Sequence, residues 1–384
     1  MKKIAIVRGK FLNAYEMQSF EPLVSRYDIT AFGSLTCYHD RYRFPVVKLP
    51  SPMDLPDFPF KLPLLNRLCI DAHYLHGLEE RLRGFDLVHT AETYYRYTQQ
   101  ALHARKKGYV KKVIATVLEN IPFNNEGFWG RKCFKACARN ELDHIIALTC
   151  LTADALVREG TDPAKITVIG HGIDCKRFFP GTKRSGKGST ITILFSGRLE
   201  EYKGVLDVLH AARMLFADPL LFGYRMRFVF VGEGSLKKRM LVLEKAMGIE
   251  AFIYHKSLPY AQMPDVYRDA DIFVAPSKPR FVRRFGVSHM TWQEQYCTAL
   301  LEAQAAGLAI VTTKSGGIPE NVGEAALFAK PGDVPDLAEC IRRFVTSPTL
   351  RRQYGERARK RAESVHDIRV ISGKILDVYD RILR

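Results

Sequence analysis

The chain has 384 residues, 47% of them hydrophobic and 26% charged, a globular composition long enough for two α/β domains of roughly 100–200 residues each with a cleft between them. No segment approaches the roughly 20 consecutive apolar residues that span a bilayer, which excludes a transmembrane helix. The formal net charge of +17 calls for an acidic partner, whether nucleic acid, an anionic membrane or a phosphorylated small molecule. It is not the work of a basic tail, because residues 1–180 hold 26 basic and 19 acidic side chains and the remainder hold 32 and 22.

Taken in chain order, Met1-Lys2-Lys3 is followed by the apolar run Ile4–Val7, which stops at Arg8. That is short of the ~7 residues of a secretory core, so a first buried strand is expected. Apolar, β-branched runs at 3–7, 87–89, 113–117, 145–148 and 166–169 alternate with helical patterns, the signature of a parallel, doubly wound sheet. Basic clusters stand at Lys106, Lys107, Lys111 and Lys112 and at Arg131, Lys132, Lys135 and Arg139; these read equally as a membrane-facing patch or a solvated helix face. Residues 178–189, rich in Gly, Lys and Ser, read as a linker. The alternation then restarts, with runs at 191–195, 228–231, 253–254, 272–275 and 309–312, and the stretch 350–383 is basic and helical by pattern. Eight cysteines without a CxxC pair suggest free thiols in a reducing, cytoplasmic compartment.

Parallel sheets bind ligands outside the carboxyl ends of their strands, and four candidate stretches fall there, three of them glycine-containing turns. Gly197-Arg198 and Lys203-Gly204 follow the run 191–195 and precede a helical pattern; a helix start with two cations suits a diphosphate, although a surface turn would look alike. GxxxxGK[ST] is absent, which excludes a P-loop. Glu294 and Glu302 flank seven residues. On one continuous helix they stand roughly 12 Å apart along the axis, beyond the ~5–9.5 Å of a hydrolase pair and suited to the two ends of a nucleotide sugar. The diphosphate between them would meet free N–H groups near Tyr296, Cys297 and Thr298; two glutamates on an exposed helix are the plain alternative. Gly232 and Gly234, and Gly316 and Gly317, complete the set. Asp269-Ala270-Asp271 precedes its strand and reads as structural. His73, His76 and His89 form no metal set; His89, at a strand end facing the cleft, is either an acceptor contact or a cap.

The stretch 191–320 resembles the donor domain of glycosyltransferase family 4, the retaining GT-B enzymes, and the rest of the chain is similar more loosely. The resemblance implies the GT-B fold: an acceptor-side Rossmann-like domain at 1–172, a nucleotide-sugar domain at 173–365, and a terminal helix at 366–384 returning to the first. It implies that Arg198 and Lys203 bind the donor diphosphate, with Gly197, Gly232 and Gly316 lining the site. Glu302 would hold the ribose, and Glu294 would contact the sugar near the reacting centre. Gly170-His171-Gly172-Ile173-Asp174 matches the family's hinge. The family's Phe-Gly after the first glutamate is here Tyr296-Cys297, and its N-terminal Gly-Gly is here Arg8-Gly9-Lys10. Where the family has a donor-contacting His, this chain has Glu119-Asn120, so Glu119 is either a catalytic substitute or a loop carboxylate. Residues 278–289 form a basic insertion, either a lid or acceptor contact or a surface loop.

The expected activity is therefore transfer of a hexosyl unit, with retention, from a nucleoside diphosphate sugar to a glycan or lipid-linked acceptor. No cofactor or metal is expected, an anionic membrane is a candidate partner, and nucleic acid is not. A nucleotide-sugar epimerase and a catalytically silent binding relative are the alternatives.

Overall fold

Strands that are apolar along their whole length must be covered on both faces, and helices supply that cover in both sheets of the computed structural model, which describes residues 1–127, 130–181, 190–284 and 287–384. The first sheet contains β1 (Lys3–Gly9), β2 (Asp28–Ser34), β3 (Val46–Leu49), β4 (Phe85–Ala91), β5 (Val110–Val117), β6 (His144–Ala147) and β7 (Ile166–Val168). All seven are parallel, in the order β3-β2-β1-β4-β5-β6-β7. The second contains β8 (Ile191–Ser196), β9 (Met226–Val231), β10 (Ile253–Lys256), β11 (Ile272–Ala275), β14 (Ala309–Thr313) and β15 (Ala326–Ala329). Its order is β10-β9-β8-β11-β14-β15, again parallel. Each sheet reverses its winding at the centre, between β1 and β4 and between β8 and β11, which is where open α/β sheets form ligand crevices.

Contacts divide the chain into one unit of Met1–Gly172 with Ile368–Arg384 and another of Ile173–Asp367. In the first, the helix Ile368–Ile382 lays Ile371, Ile375, Val378 and Tyr379 on Ile4, Ile6 and Ile29 of the sheet. Burying each such side chain is worth about 1.5–3 kcal/mol, so together they rival the 5–15 kcal/mol that holds a typical domain folded. A chain ended at Asp367 is expected to lose the cooperative melting of the first unit in calorimetry while the second unit's transition persists.

Two sequence expectations change here. The basic insertion at 278–289 and the residues just after it contribute two antiparallel strands, β12 (Arg280–Arg284) and β13 (Val287–Trp292); residues 285–286 lie outside the described residues, as do 182–189 of the expected linker. The basic clusters are largely neutralised. Lys106, Lys107, Lys111 and Lys112 pair with Glu141, Glu79, Asp86 and Asp143, Arg131 with Asp71, and Lys135 and Arg139 with Glu159. Those lysines and arginines are ion-paired, on or directly after the helices Arg96–Lys106 and Arg131–Glu141 and on β5, instead of forming a free cationic patch.

Candidate active site

The turns at the carboxyl ends of β8, β9, β11 and β14 converge in the second unit. Gly232 N–H bonds to Lys256 in line with the sheet, and a Cβ on Gly232 would stand 1.9 Å from the Gly197 carbonyl oxygen, so only glycine lets these two turns touch. Gly316, at φ +54°, is similar: its missing Cβ would fall 1.9 Å from the Glu294 carbonyl oxygen, which accepts from Gly317 N–H at 2.8 Å.

Around this frame the side chains assemble a charged centre. Lys203 Nζ donates to Glu294 Oε2 at 2.6 Å, and Ser277 Oγ donates to the same oxygen at 2.7 Å. Both Lys203 and Glu294 are mostly buried. Burial pulls the Lys203 pKa down, but the Glu294 carboxylate and the Cys297 thiol outweigh it and hold it above the usual value. Trp292, the last residue of β13, lies under the Lys203 ammonium at 5.1 Å and against Tyr202 at 4.3 Å. Lys278 anchors the residues before β12, pairing with Glu201 at 2.9 Å and Asp207 at 3.0 Å, so the insertion is stapled to the 197–207 turn. Arg198 stays exposed, its guanidinium 5.3 Å from the Tyr202 ring, and makes no ion pair among the described residues.

Glu294 is not on the helix that bears Glu302. The helix runs Thr298–Ala305, and Cys297 breaks it at φ 59°, so the axial spacing argued from one continuous helix does not apply. Glu294 instead lies in the turn after β13, clasped by Gly317. Cys297 adopts a left-handed backbone conformation suited to glycine, at a cost of roughly 1–2 kcal/mol. Its thiol is pushed up to about 12 by burial and by Glu294. Thr298 opens the helix, leaving first-turn N–H groups beside the lysine. Tyr296 is buried, its hydroxyl 3.3 Å from His366 Nδ1, and Asn321 binds its carbonyl. Glu302 is buried too; burial raises its pKa to about 7 against the pull of Tyr267, Tyr260 and Arg177. Asp271 accepts from Thr192 N–H at 2.8 Å, at the amino end of β8 and away from these turns.

In the first unit the structure redistributes the expected residues. His89 is not at an open strand end. It is fully buried within β4, with Nδ1 2.7 Å from the Tyr379 hydroxyl and Nε2 2.7 Å from Thr116 Oγ1, because the C-terminal helix closes over it; an acceptor contact at His89 is therefore corrected to a core role. Arg8 is buried as well, bonded to Glu16 at 2.6 Å and to the His89 carbonyl at 3.0 Å. His171, its pKa lowered by burial, shares with Glu16, Ser19 and Thr116 a void of about 20 Å³, room for one water.

Glu119, at the end of β5, accepts from Ile121 N–H and from the Asn124 and Asn125 amides at 3.0, 2.9 and 2.7 Å, while Asn120 beside it is buried. Three donors on one carboxylate describe a loop-forming side chain. Beneath it lies Glu92, which sequence reasoning missed: it follows β4 at φ 59°, is buried, and accepts from the N–H groups of Leu118 and Glu119 at 2.9 and 3.1 Å. Its Oε2 has no partner among the described residues. The signal available was a glutamate immediately after an apolar strand. Burial, and then Glu119, push Glu92 up to about 8 from 4.5. A carboxyl that holds its proton longer when folded stabilises the native state at low pH and loses that advantage between about 4.5 and 8, at up to about 1.4 kcal/mol per pH unit. Glu92→Gln is expected to raise the melting temperature at pH 8 and change it little at pH 4.5, as read by thermal melts at both.

Among the described residues no three His, Cys, Asp or Glu side chains are grouped to hold a metal. Residues 182–361 match the family model for glycosyl transferases group 1, and residues 28–177 match that for glycosyltransferase family 4. The chain belongs to glycosyltransferase family 4. It is 28% identical to a D-inositol 3-phosphate glycosyltransferase of Catenulispora acidiphila over 56% of this chain and 51% of that one. To the Thermobifida fusca protein of that name it is 27% identical over 77% and 70%. A phosphatidylinositol N-acetylglucosaminyltransferase component of Arabidopsis thaliana is 24% identical over 79% and 64%. The chain spans about half the length of the first curated relatives it matches. Among solved structures, sucrose-phosphate synthase from Thermosynechococcus elongatus superposes with a TM-score of 0.75 at 17% identity, covering 100% and 99% of the two chains. Anabaena HepE in complex with UDP-glucose gives 0.74 at 15%, covering 99% and 100%. Likeness at that identity establishes the fold: this family 4 member is a GT-B protein of two Rossmann-like domains.

Proposed function

We propose that the chain transfers a hexosyl unit, with retention of configuration, from a nucleoside diphosphate sugar to a hydroxyl of a glycan or lipid-linked acceptor. The observation that carries this reading is the Lys203–Glu294 pair set beside exposed Arg198 and the start of the helix at Thr298. On this reading the two cations and the helix start meet the diphosphate leaving group, and the Glu294 carboxylate contacts the sugar. HepE has been crystallised with UDP-glucose, which supports a nucleotide sugar as donor. Arg198, Lys203 and the helix start neutralise the departing diphosphate without a metal. The anomeric carbon–oxygen bond to phosphate breaks, the acceptor oxygen attacks on the same face, and its proton passes to the departing phosphate. Glu302, deep in the same unit, holds the ribose hydroxyls.

The test is a metal-free incubation, with chelator, of UDP-, GDP- and ADP-sugars with the protein and a soluble acceptor mixture, recording nucleoside diphosphate release and donor-induced thermal shift. One favoured donor, released only in the presence of acceptor and with its anomeric configuration kept in the product, supports the reading. Rearrangement of the donor without acceptor points to an epimerase, and binding without turnover to a silent relative.

A further inference from the structure

Residues 51–73 of the first unit are fixed at both ends and bare in the middle. At one end Ser51 and Asp54 form a capping box, and Asp54 also accepts from Leu35 and Thr36 N–H. At the other, fully buried Asp71 pairs with Arg131 and His73 and accepts from Arg96 N–H at 2.8 Å, while Asn66 accepts from Ala72 N–H at 3.0 Å. Between these moorings Leu55, Phe58, Phe60, Leu62, Leu64 and Leu68 all face solvent, Phe60 at 81% and Leu68 at 71% exposure. Scattered exposed apolar residues are ordinary, but six large ones within 14 positions form a patch of the kind that marks an interaction site.

The helix carrying half of them, Lys61–Cys69, has little else to hold it. It lacks a side-chain N-cap, both flanking residues, Phe60 and Ile70, have positive φ, and among the described residues its buried apolar cluster is the small one of Met53, Leu65 and Ala72. A nine-residue helix is marginal in water by itself. The charge around it is one-sided. Lys61 turns inward to Asp57 and the Met53 carbonyl, which cancels the segment's exposed acid. The exposed cations Arg67 and, on the helix whose start abuts Ile70, Lys132 make no ion pair among the described residues.

We infer that this segment docks the protein on an anionic lipid bilayer, the leucines and phenylalanines entering the acyl boundary and Arg67 and Lys132 meeting lipid phosphates. The exposed face is mainly Leu, Phe and Pro, with Asp57 and Arg67 as its exposed charged groups, and offers a protein partner few directional contacts. It suits an interface helix, whose binding grows with buried apolar area and anionic lipid. The inference does not rest on the proposed transfer reaction.

The test uses the full chain with vesicles of phosphatidylcholine alone and of phosphatidylcholine with phosphatidylglycerol in roughly a 7:3 ratio. The parent is expected to co-sediment with the anionic vesicles, and Leu64→Ser combined with Leu68→Ser to weaken this on the order of tenfold or more. Because those side chains are exposed, circular dichroism, melting and nucleotide binding stay as in the parent. In a second variant, Leu68→Trp, the added emission is expected to shift blue and be quenched by doxyl lipids. Equal co-sedimentation of parent and double-serine protein, or emission at position 68 that ignores lipid, overturns the inference. So does a parent dimer in light scattering that the serine variant dissolves, since a second copy would then be what covers the face.

Discussion

Replacing Gly316 with alanine is expected to abolish donor binding. The new methyl group would stand 1.9 Å from the Glu294 carbonyl oxygen, and neither partner is a flexible side-chain end. The φ of +54° also disfavours any residue with a Cβ. The strain can be relieved only by moving the turn that carries Glu294 and Cys297, and with it Lys203's partner. Donor affinity in calorimetric titration should fall at least 100-fold, about 2.7 kcal/mol, and the melting temperature should fall too. Gly373→Ala is the control: it lies in the helix Ile368–Ile382 with open space around it, where alanine is favoured over glycine by about 1 kcal/mol, so it should melt higher and bind donor normally.

Lys203→Met is expected to reduce turnover about a thousandfold, roughly 4 kcal/mol of transition-state stabilisation, and to destabilise the second unit. The two effects have different origins. Methionine fills much of the lysine's space over Trp292 but removes the cation, and breaking a buried pair by removing one member costs about 3–5 kcal/mol because a charge is left behind. Adding Glu294→Gln removes that charge, so the double variant should regain most of the lost stability in denaturant titrations while turnover stays low. Recovery of turnover in the double variant would mean that the ammonium acts only as a structural partner of Glu294.

Much of the fold was legible because buried parallel strands are written as apolar runs. β1, β5, β8, β11 and β14 all surfaced this way, and the glycine turns at their ends located the site. What escaped did so for physical reasons. β2 carries Asp28, Thr30 and Gly33 and edge strand β3 carries Lys48, which interrupt an apolar run, while edge strand β15 is Ala-Leu-Phe-Ala, without a β-branched residue to mark it as a strand. The β12–β13 pair hides in Arg-rich sequence because its pairing is antiparallel and local. Glu294 was placed on a helix because seven residues to Glu302 suit helical spacing. Only the left-handed backbone at Cys297, a property no side-chain pattern announces, moves it into a turn. Burial of Arg8 and His89 depends on Tyr379, about 290 positions along the chain from His89, and such closure is invisible to local reading. Glu92 was missed for a similar reason, its partners being the backbone of residues 118 and 119.

The two units differ in when they can be completed during synthesis. Residues 173–367 are continuous, so that unit has all its parts once Asp367 has cleared the ribosome. The first unit waits for residues 368–384, with Ile4, Ile6 and Ile29 uncovered while the whole of the other is being made, roughly 10–40 s at about 5–20 residues per second. The half of the protein that begins first therefore finishes last. Its exposure to chaperones and proteases is set by the translation time of the other half, so slowing elongation within residues 173–367 should lower the yield of native protein without any change in its sequence.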